Sequence, residues 1–375
     1  MNVGIPREVK DSEYRVAATP GGVKELSAAG HHVLVEAGAG EGSAIPDAAY
    51  EAAGAKILGV AADVWAEADM VMKVKEPVPD EYGLLHERQV LFTYLHLAAI
   101  PELTAALAER KVSAVAYETV QTGDGALPLL APMSEVAGRM APQVGANWLE
   151  RPRRGRGVLM GGVSGVKPAR VVVIGAGMAG SNAAWIAAGM EAEVIILDTD
   201  IDKLRWVDHI HKGRIMTIMS NRLHVEEEVT KADLVIGAVL VAGARAPHVV
   251  TEEMVREMHP GAVLVDISID QGGCMETSSM TTHSDPTFER HGVVHYAVGN
   301  MPGAVPHTST YALTNVTLPY ALGIANLGLE EAARRDAALA KGVNVYAGSV
   351  TNAAVAEAHG LSWTALASVI PDAAG

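Results

Sequence analysis

Short β-branched runs alternate with Ala-rich stretches of helical period along most of the chain, the pattern of an α/β protein with parallel strands. Strands are predicted at Val3 to Ile5, His32 to Glu36, Met70 to Lys75, Val90 to Leu95 and Ser113 to Tyr117, with helices at Gly21 to Ala29 and Pro101 to Glu109 between them. Ser134 is placed to cap a long helix running through Trp148. A basic stretch with Arg151, Arg153, Arg154 and Arg156 follows, and reads either as a solvated connection or subunit contact or as a clamp for an anion. A second β/α series then begins at Arg170 to Gly175. It continues at Glu193 to Leu197, Ile215 to Met219, Leu234 to Gly237, Ala262 to Asp266 and Val293 to Ala297, the six strands of a full dinucleotide fold. A last long helix is predicted from Ser309 to Leu327.

Composition narrows the class. A length of 375 residues suits about two domains, and an apolar fraction of 49% excludes disorder. Aromatics are only 4%, so the cores must be built from aliphatic side chains and Met. A single cysteine, Cys274, excludes an intrachain disulfide framework and a cysteine zinc cluster, and fits a reducing, cytoplasmic setting. The formal charge of −15 opposes non-specific binding to nucleic acid or to an anionic membrane, so an anionic ligand must be held by local groups. The N-terminus lacks a basic leader with an apolar stretch, and no apolar run approaches the roughly 20 residues that span a bilayer; the expectation is a soluble, unprocessed chain with neither nucleic acid nor membrane as partner.

The most specific local signal is the strand that runs from Val171 into Gly175, Gly177 and Gly180. The first glycine permits a tight turn, the second lets the backbone approach a pyrophosphate, and the third lets helix and strand pack closely, with the helix N-terminus facing the phosphates. In a chain with 38 glycines such a triplet also arises as an ordinary turn. Asp198, eighteen residues after Gly180 at the end of the next apolar run, adds the context: an acid there binds a ribose 2′-OH and repels a 2′-phosphate, which favours NAD over NADP. The other reading of Asp198 is a helix cap.

Four further residues carry chemistry. His96 ends an apolar strand, where ligands collect in open α/β sheets, and imidazole titrates nearest to working pH; it is either a proton carrier or a histidine hydrogen-bonded in a core. Lys75 ends another strand, as a functional cation or a surface lysine. Arg15 offers a planar fork to a carboxylate, or pairs with Glu13 or Glu8. Asp270 ends a late strand, beside a nicotinamide ribose and a catalytic water or as a turn-forming residue before Gly272 and Gly273.

Together these blocks resemble the alanine dehydrogenase family, which is shared with the NAD-binding part of proton-translocating transhydrogenase. The resemblance runs from Val3 to Glu8 and Glu13 to Ala17 through Val74 to Pro77, Thr93 to Ala98, Pro132 to Arg139, Asp266 to Cys274, Asn300 to Pro306 and Ser309 to Asn315, almost the whole chain. It implies NAD-dependent oxidative deamination of L-alanine to pyruvate and ammonium, and the reverse reductive amination. Carried over, Arg15 and Lys75 hold substrate, His96 is the general acid/base, and Asp270 completes the catalytic site. The implied cofactor contacts are Ser134, Gly175, Gly177, Gly180, Asp198, Lys203, Ser220, Val239, Leu240, Ile267, Asp270, Asn300 and Met301. The resemblance also implies a homohexamer.

Two departures stand out. Ser278, Ser279 and Met280 stand where the family commonly has Ser-Arg-Pro, which bears on NAD affinity. Leu327 stands where some relatives have a histidine associated, with an acid like Glu118, with magnesium; no metal is expected. The retained Arg15, Lys75 and His96 speak against the two other readings, a transhydrogenase-like NAD(H)-binding subunit and a non-catalytic NAD sensor. The expected architecture is two doubly wound parallel-sheet domains, with a Rossmann NAD domain at 133–302 inserted into a discontinuous substrate domain formed by 1–132 and 303–375.

Overall fold

A computed structural model of the protein describes residues 1–239 and 246–370, so the expected contact at Leu240 lies outside the described residues. Fifteen strands are seen among them: β1 Asn2–Ile5, β2 His32–Glu36, β3 Lys56–Leu58, β4 Met70–Met72, β5 Val90–Thr93, β6 Ser113–Ala116, β7 Arg170–Ile174, β8 Glu193–Asp198, β9 Met216–Met219, β10 Leu234–Gly237, β11 Val263–Asp266, β12 Thr287–Arg290, β13 Val293–Tyr296, β14 Val343–Tyr346 and β15 Ser349–Val350. They form two sheets in two compact units, the first comprising Met1–Met133 with Val305–Gly375 and the second Ser134–Ala304.

In the first unit the sheet order is β15-β14-β6-β5-β4-β1-β2-β3. Strands β1 to β6 are mutually parallel, and β14 and β15 close one side in antiparallel register. Because the first six strands read 3-2-1-4-5-6, the chain reverses direction across the sheet between β1 and β4, which is where open α/β sheets bind ligands beyond their carboxyl ends. β1, β4, β5 and β6 are apolar nearly throughout, as strands buried on both faces must be. The second unit repeats the plan, with order β12-β13-β11-β10-β7-β8-β9, reversal between β7 and β10, and only the edge strand β12 antiparallel. Val171, Val172 and Val173 are fully buried at its centre. Burial of each such side chain is worth roughly 1.5–3 kcal/mol.

Several elements differ from the periodicity. β4 stops at Met72 and β5 at Thr93, short of the predicted Lys75 and Leu95, as amides a little beyond those ends turn to side chains: Val74 N–H donates to Glu8 Oε1 at 2.6 Å, and His96 N–H to Glu118 Oε1 at 2.6 Å. Ser134 is not an N-cap. The helix already starts at Ala131 and includes Pro132 in its first turn, where a missing N–H costs nothing. The last long helix likewise begins at Pro306, not Ser309. Strands β3, β12, β14 and β15, unanticipated in the pattern, lie toward the sheet margins, and in β3 and β12 half-exposed residues blur it. In the basic stretch Arg156 pairs with Asp233 and Arg153 lies over the Trp148 ring, with 5.2 Å to its centroid. No described helix is long and apolar enough to cross a membrane.

Candidate active site

In the second unit, backbone geometry prepares a concave anion site at the end of β7. Gly175 has φ +101°, and a Cβ there would stand 2.4 Å from the Ala238 carbonyl oxygen. Gly180 packs so tightly that a Cβ would meet the Gly175 carbonyl oxygen at 1.7 Å. A Cβ on Gly177 would meet nothing within 4 Å, so this glycine leaves open space at the N-terminus of the helix Met178–Gly189. No side chain from the Gly177 cap position bonds to the first-turn amides. A dinucleotide pyrophosphate fits this cradle by the dipole and open N–H groups it finds there.

The other expected cofactor residues line the carboxyl ends of the same sheet. Asp198, at the tip of β8, accepts from the loop amide of Ala176 at 2.6 Å and from Asp200 N–H at 2.8 Å. It does not cap the following helix; Asp200 does, accepting from the amides of Asp202 and Lys203. Lys203 Nζ lies 3.9 Å from Asp198 Oδ2, and Ser220 N–H donates to the Asp198 carbonyl at 2.9 Å, so these three form one cluster beside the glycine turn. Val239 follows β10 against Gly175, since a Cβ on that glycine would lie 3.3 Å from the Val239 nitrogen.

Ile267 and the exposed Asp270 sit on the helical turn after β11. The main chain after β13 brings Gly299 so close that a Cβ would lie 3.0 Å from Asp270 Oδ1 and 3.3 Å from Met280 Sδ. Next in the chain, Asn300 adopts φ +65°, its carbonyl oxygen 3.0 Å from His283 Nε2, and Met301 is buried. Ser134 stands apart, one turn before Gly138, whose missing side chain lets its helix touch the Ala179 backbone. Ser279 is exposed.

In the first unit, the loops after β1, β4 and β5 gather charged residues beside the strand reversal. Glu13 grips Arg15 in a bidentate pair, 2.6 Å from Oε1 to Nε and 2.5 Å from Oε2 to Nη2, which leaves Nη1 3.0 Å from Met133 Sδ. The alternative pairing foreseen for Arg15 is thus present, and it orients the guanidinium. Lys73 is buried between Glu8, 3.3 Å away, and Glu81, 2.9 Å away, and ties the loop after β1 to that after β4. Burial pushes the Glu8 carboxyl above its ordinary range despite Lys73. Two residues beyond Lys73, the Lys75 carbonyl accepts from the Thr93 hydroxyl at 3.1 Å, joining the ends of β4 and β5.

His96 presents its ring to solvent, its backbone left-handed at φ +50°. Glu118 holds that turn by accepting from the Leu95 and His96 amides, at 3.2 and 2.6 Å. His96 Nδ1 lies 3.4 Å from Glu76 Oε2, and Lys10 pairs with the other oxygen of Glu76. Burial opposes the charge of Glu76, but its contacts to His96 and Lys10 outweigh this and hold it at about 2. Partial burial likewise opposes protonation of His96, and Glu76 and Glu118 outweigh it, raising His96 above its ordinary value. Tyr94, its ring centroid 6.1 Å from that of His96, donates to the Leu129 carbonyl at 2.6 Å.

Two family models together match nearly the whole chain: the alanine dehydrogenase/PNT N-terminal domain over residues 4–137 and the C-terminal domain over residues 141–353. The chain belongs to the alanine dehydrogenase/PNT family. Within that family it is 58% identical over 370 residues to the alanine dehydrogenase of Mycobacterium tuberculosis, covering 99% of this chain and 100% of the relative. It is 54% identical over 373 residues to that of Bacillus subtilis, covering 99% and 98%. A solved structure titled L-alanine dehydrogenase aligns with a TM-score of 0.93 at 49% identity, over 96% of this chain and 99% of that one. The transhydrogenase of Sinorhizobium meliloti aligns with a TM-score of 0.82 at 28% identity, over 94% and 100%.

In this member of the alanine dehydrogenase/PNT family the region also contains Lys73, Glu76 and Glu81, which sequence reasoning passed over, together with Glu8, weighed only as an Arg15 partner, and Glu118, noted only beside a relative's magnesium and here a backbone anchor. Acids and lysines are usually surface groups, and only their burial distinguishes these. The one available signal was position, since Lys73, Glu76 and Glu118 each follow within a few residues of an apolar strand. Among the described residues, no group of three or more His, Cys, Asp or Glu is arranged to hold a metal ion.

Proposed function

We propose that the protein is an NAD-dependent alanine dehydrogenase, which oxidises L-alanine to pyruvate and ammonium and runs the reverse amination. The observation that carries this reading is that Arg15, Lys75 and His96 follow β1, β4 and β5, three neighbouring strands at the reversal of one sheet. Two cations and a proton carrier are what an amino acid with a carboxylate and a departing amine requires. In the second unit the glycine turn and helix end would hold the pyrophosphate, and Asp198, Ser220 and Lys203 the adenosine ribose. Ser134, Val239, Leu240, Ile267, Asp270, Asn300 and Met301 would surround the nicotinamide end. When bound, NAD supplies the acceptor for the two electrons that leave the substrate Cα.

The chain's own residues do the rest. Arg15, oriented by Glu13, and Lys75 bind the substrate carboxylate and the oxygen that arrives at Cα. Once one ammonium proton has gone to solvent, loss of the Cα hydrogen together with its bonding electron pair leaves an iminium. His96 Nε2 takes a proton from the water that attacks it, forming the C–O bond, and returns it to nitrogen; it then takes the remaining hydroxyl proton as the carbonyl forms, the C–N bond breaks and ammonia departs, and passes that proton to solvent. Asp270 is the second catalytic candidate, its carboxylate available to a water or to the nicotinamide ribose. Each proton step reverses in amination. With its single cysteine buried, the protein suits the cytoplasm, and we propose a homohexamer from its family resemblance, to be checked by analytical ultracentrifugation.

The test is NADH formation by the purified protein with L-alanine, and NADH consumption with pyruvate and ammonium. NADP, serine, glycine and glyoxylate define the selectivity. Alanine-dependent turnover with NAD well above that with NADP is expected; binding of NADH without any turnover would remove the enzyme reading and leave a cofactor sensor.

A further inference from the structure

His96 has a ring with two nitrogens, and a proton carrier works reproducibly only when one of them is committed. Glu76 makes that commitment possible. Its side chain is 7% exposed, its Oε2 is 3.4 Å from Nδ1, and its Oε1 is occupied by Lys10. The backbone of His96 cannot drift either, because Glu118 holds the amides of residues 95 and 96. One carboxylate therefore fixes the turn and another the ring, while Nε2 is left for substrate. A base oriented through its second nitrogen by a buried acid is the arrangement of hydrolase triads, in which the acid stabilises the imidazolium without itself taking the proton. With its carboxyl held at about 2, Glu76 stays ionised across the working range.

We propose that Glu76 is a positioning residue for His96, with Lys10 tuning its strength from the opposite oxygen. The inference deepens the reading of His96 as acid/base and rests on it. The charged and titratable groups around the imidazole are Glu76 and Glu118, Lys75, the phenol of Tyr94, and Lys10 through Glu76. Two of them give opposite signs. In Glu76→Gln the neutral amide no longer favours the imidazolium, so His96 loses its proton more easily. In Lys10→Gln, Glu76 loses its competing cation and favours the imidazolium more strongly, so His96 holds its proton to higher pH. Lys10 is 44% exposed, which makes its replacement mild for folding.

The experiment measures kcat for alanine oxidation against pH, with alanine and NAD saturating, in the full-length protein. His96 must be neutral to accept a proton in this direction, so activity rises with pH through its pKa. The expected result is a rise displaced to lower pH in Glu76→Gln, with the plateau reduced about ten- to a hundredfold, and a rise displaced to higher pH in Lys10→Gln with the plateau nearly kept. In pyruvate amination, which needs the imidazolium, the fall in activity at high pH moves in the same two directions. Glu76→Asp should recover part of the plateau. NADH binding, read by fluorescence, should be unchanged in all variants.

Equal profiles for wild type and Lys10→Gln, or an undisplaced rise in Glu76→Gln, overturn the inference while leaving His96 in place. Should Glu76→Gln fail to fold, the sign of the Lys10→Gln displacement alone decides. If the rise persists in His96→Gln, the assignment of His96 fails, and the inference with it.

Discussion

The two sheets of this protein share one strand plan and differ in what they place at its reversal. In the second unit β7 ends in glycines, so the groups proposed to recognise the cofactor are backbone amides and a helix end, with Gly177 keeping the space open. In the first unit β1 and β4 end in charged side chains that are buried and paired, Glu8 with Lys73 and Glu13 with Arg15. The contrast follows from ligand size and charge. A pyrophosphate is large and diffuse in charge, and is met by many dipoles; a three-carbon amino acid is small and needs a few full charges held at fixed points. Topology chooses where a site is built, and residue chemistry chooses for what.

The comparison is tested hardest at His96. His96→Gln should lower kcat by about 10² to 10⁴ while NADH binding persists, because the proposed proton carrier lies in the first unit and the proposed cofactor residues in the second. Loss of NADH binding in parallel would show that the division of labour is wrong. Next comes the buried pairing. Lys73→Met leaves Glu8 and Glu81 facing each other without a cation, and should cost about 3–5 kcal/mol in denaturant unfolding. Hydrogen exchange should rise in peptides of residues 1–133 and not in those around β7 and β8; uniform protection throughout would mean the triad carries no special stability.

The smallest effect separates two glycines of one motif. Gly177→Ala adds a methyl to open space, so the melting temperature should hold while NADH binds about tenfold more weakly, or about 1.4 kcal/mol. Gly180→Ala drives a methyl into the Gly175 carbonyl and should lose about 1–3 kcal/mol of stability. If Gly177→Ala binds NADH normally, the glycine turn is not the phosphate site.

Much of this was legible in the residues themselves. Central parallel strands are buried on both faces and read as apolar runs, so β1, β2, β4 to β8, β10, β11 and β13 stood out, as did the edge strand β9, whereas margins such as β3 and β12 did not. His96 and Lys75 showed as polar residues closing such runs, and Gly175, Gly177 and Gly180, read together with Asp198, as a strand turning into a helix. Arg15 was ambiguous, and the structure shows why: it carries the Glu13 pair, and that pair points its guanidinium.

The sequence by itself determined the α/β class, the glycine turn and the candidates for proton and carboxylate chemistry, because periodicity and backbone-limited motifs are local properties. Only the tertiary structure decided that Lys73 is enclosed by Glu8 and Glu81, that Glu118 holds the turn at His96, and that Glu76 faces its Nδ1. Those partners lie 8 to 65 residues apart in the chain. A charged side chain looks the same in a sequence whether solvent or another charge surrounds it; the burial that raises the Glu8 carboxyl and the His96 and Lys10 contacts that lower that of Glu76 exist only once the loops have met.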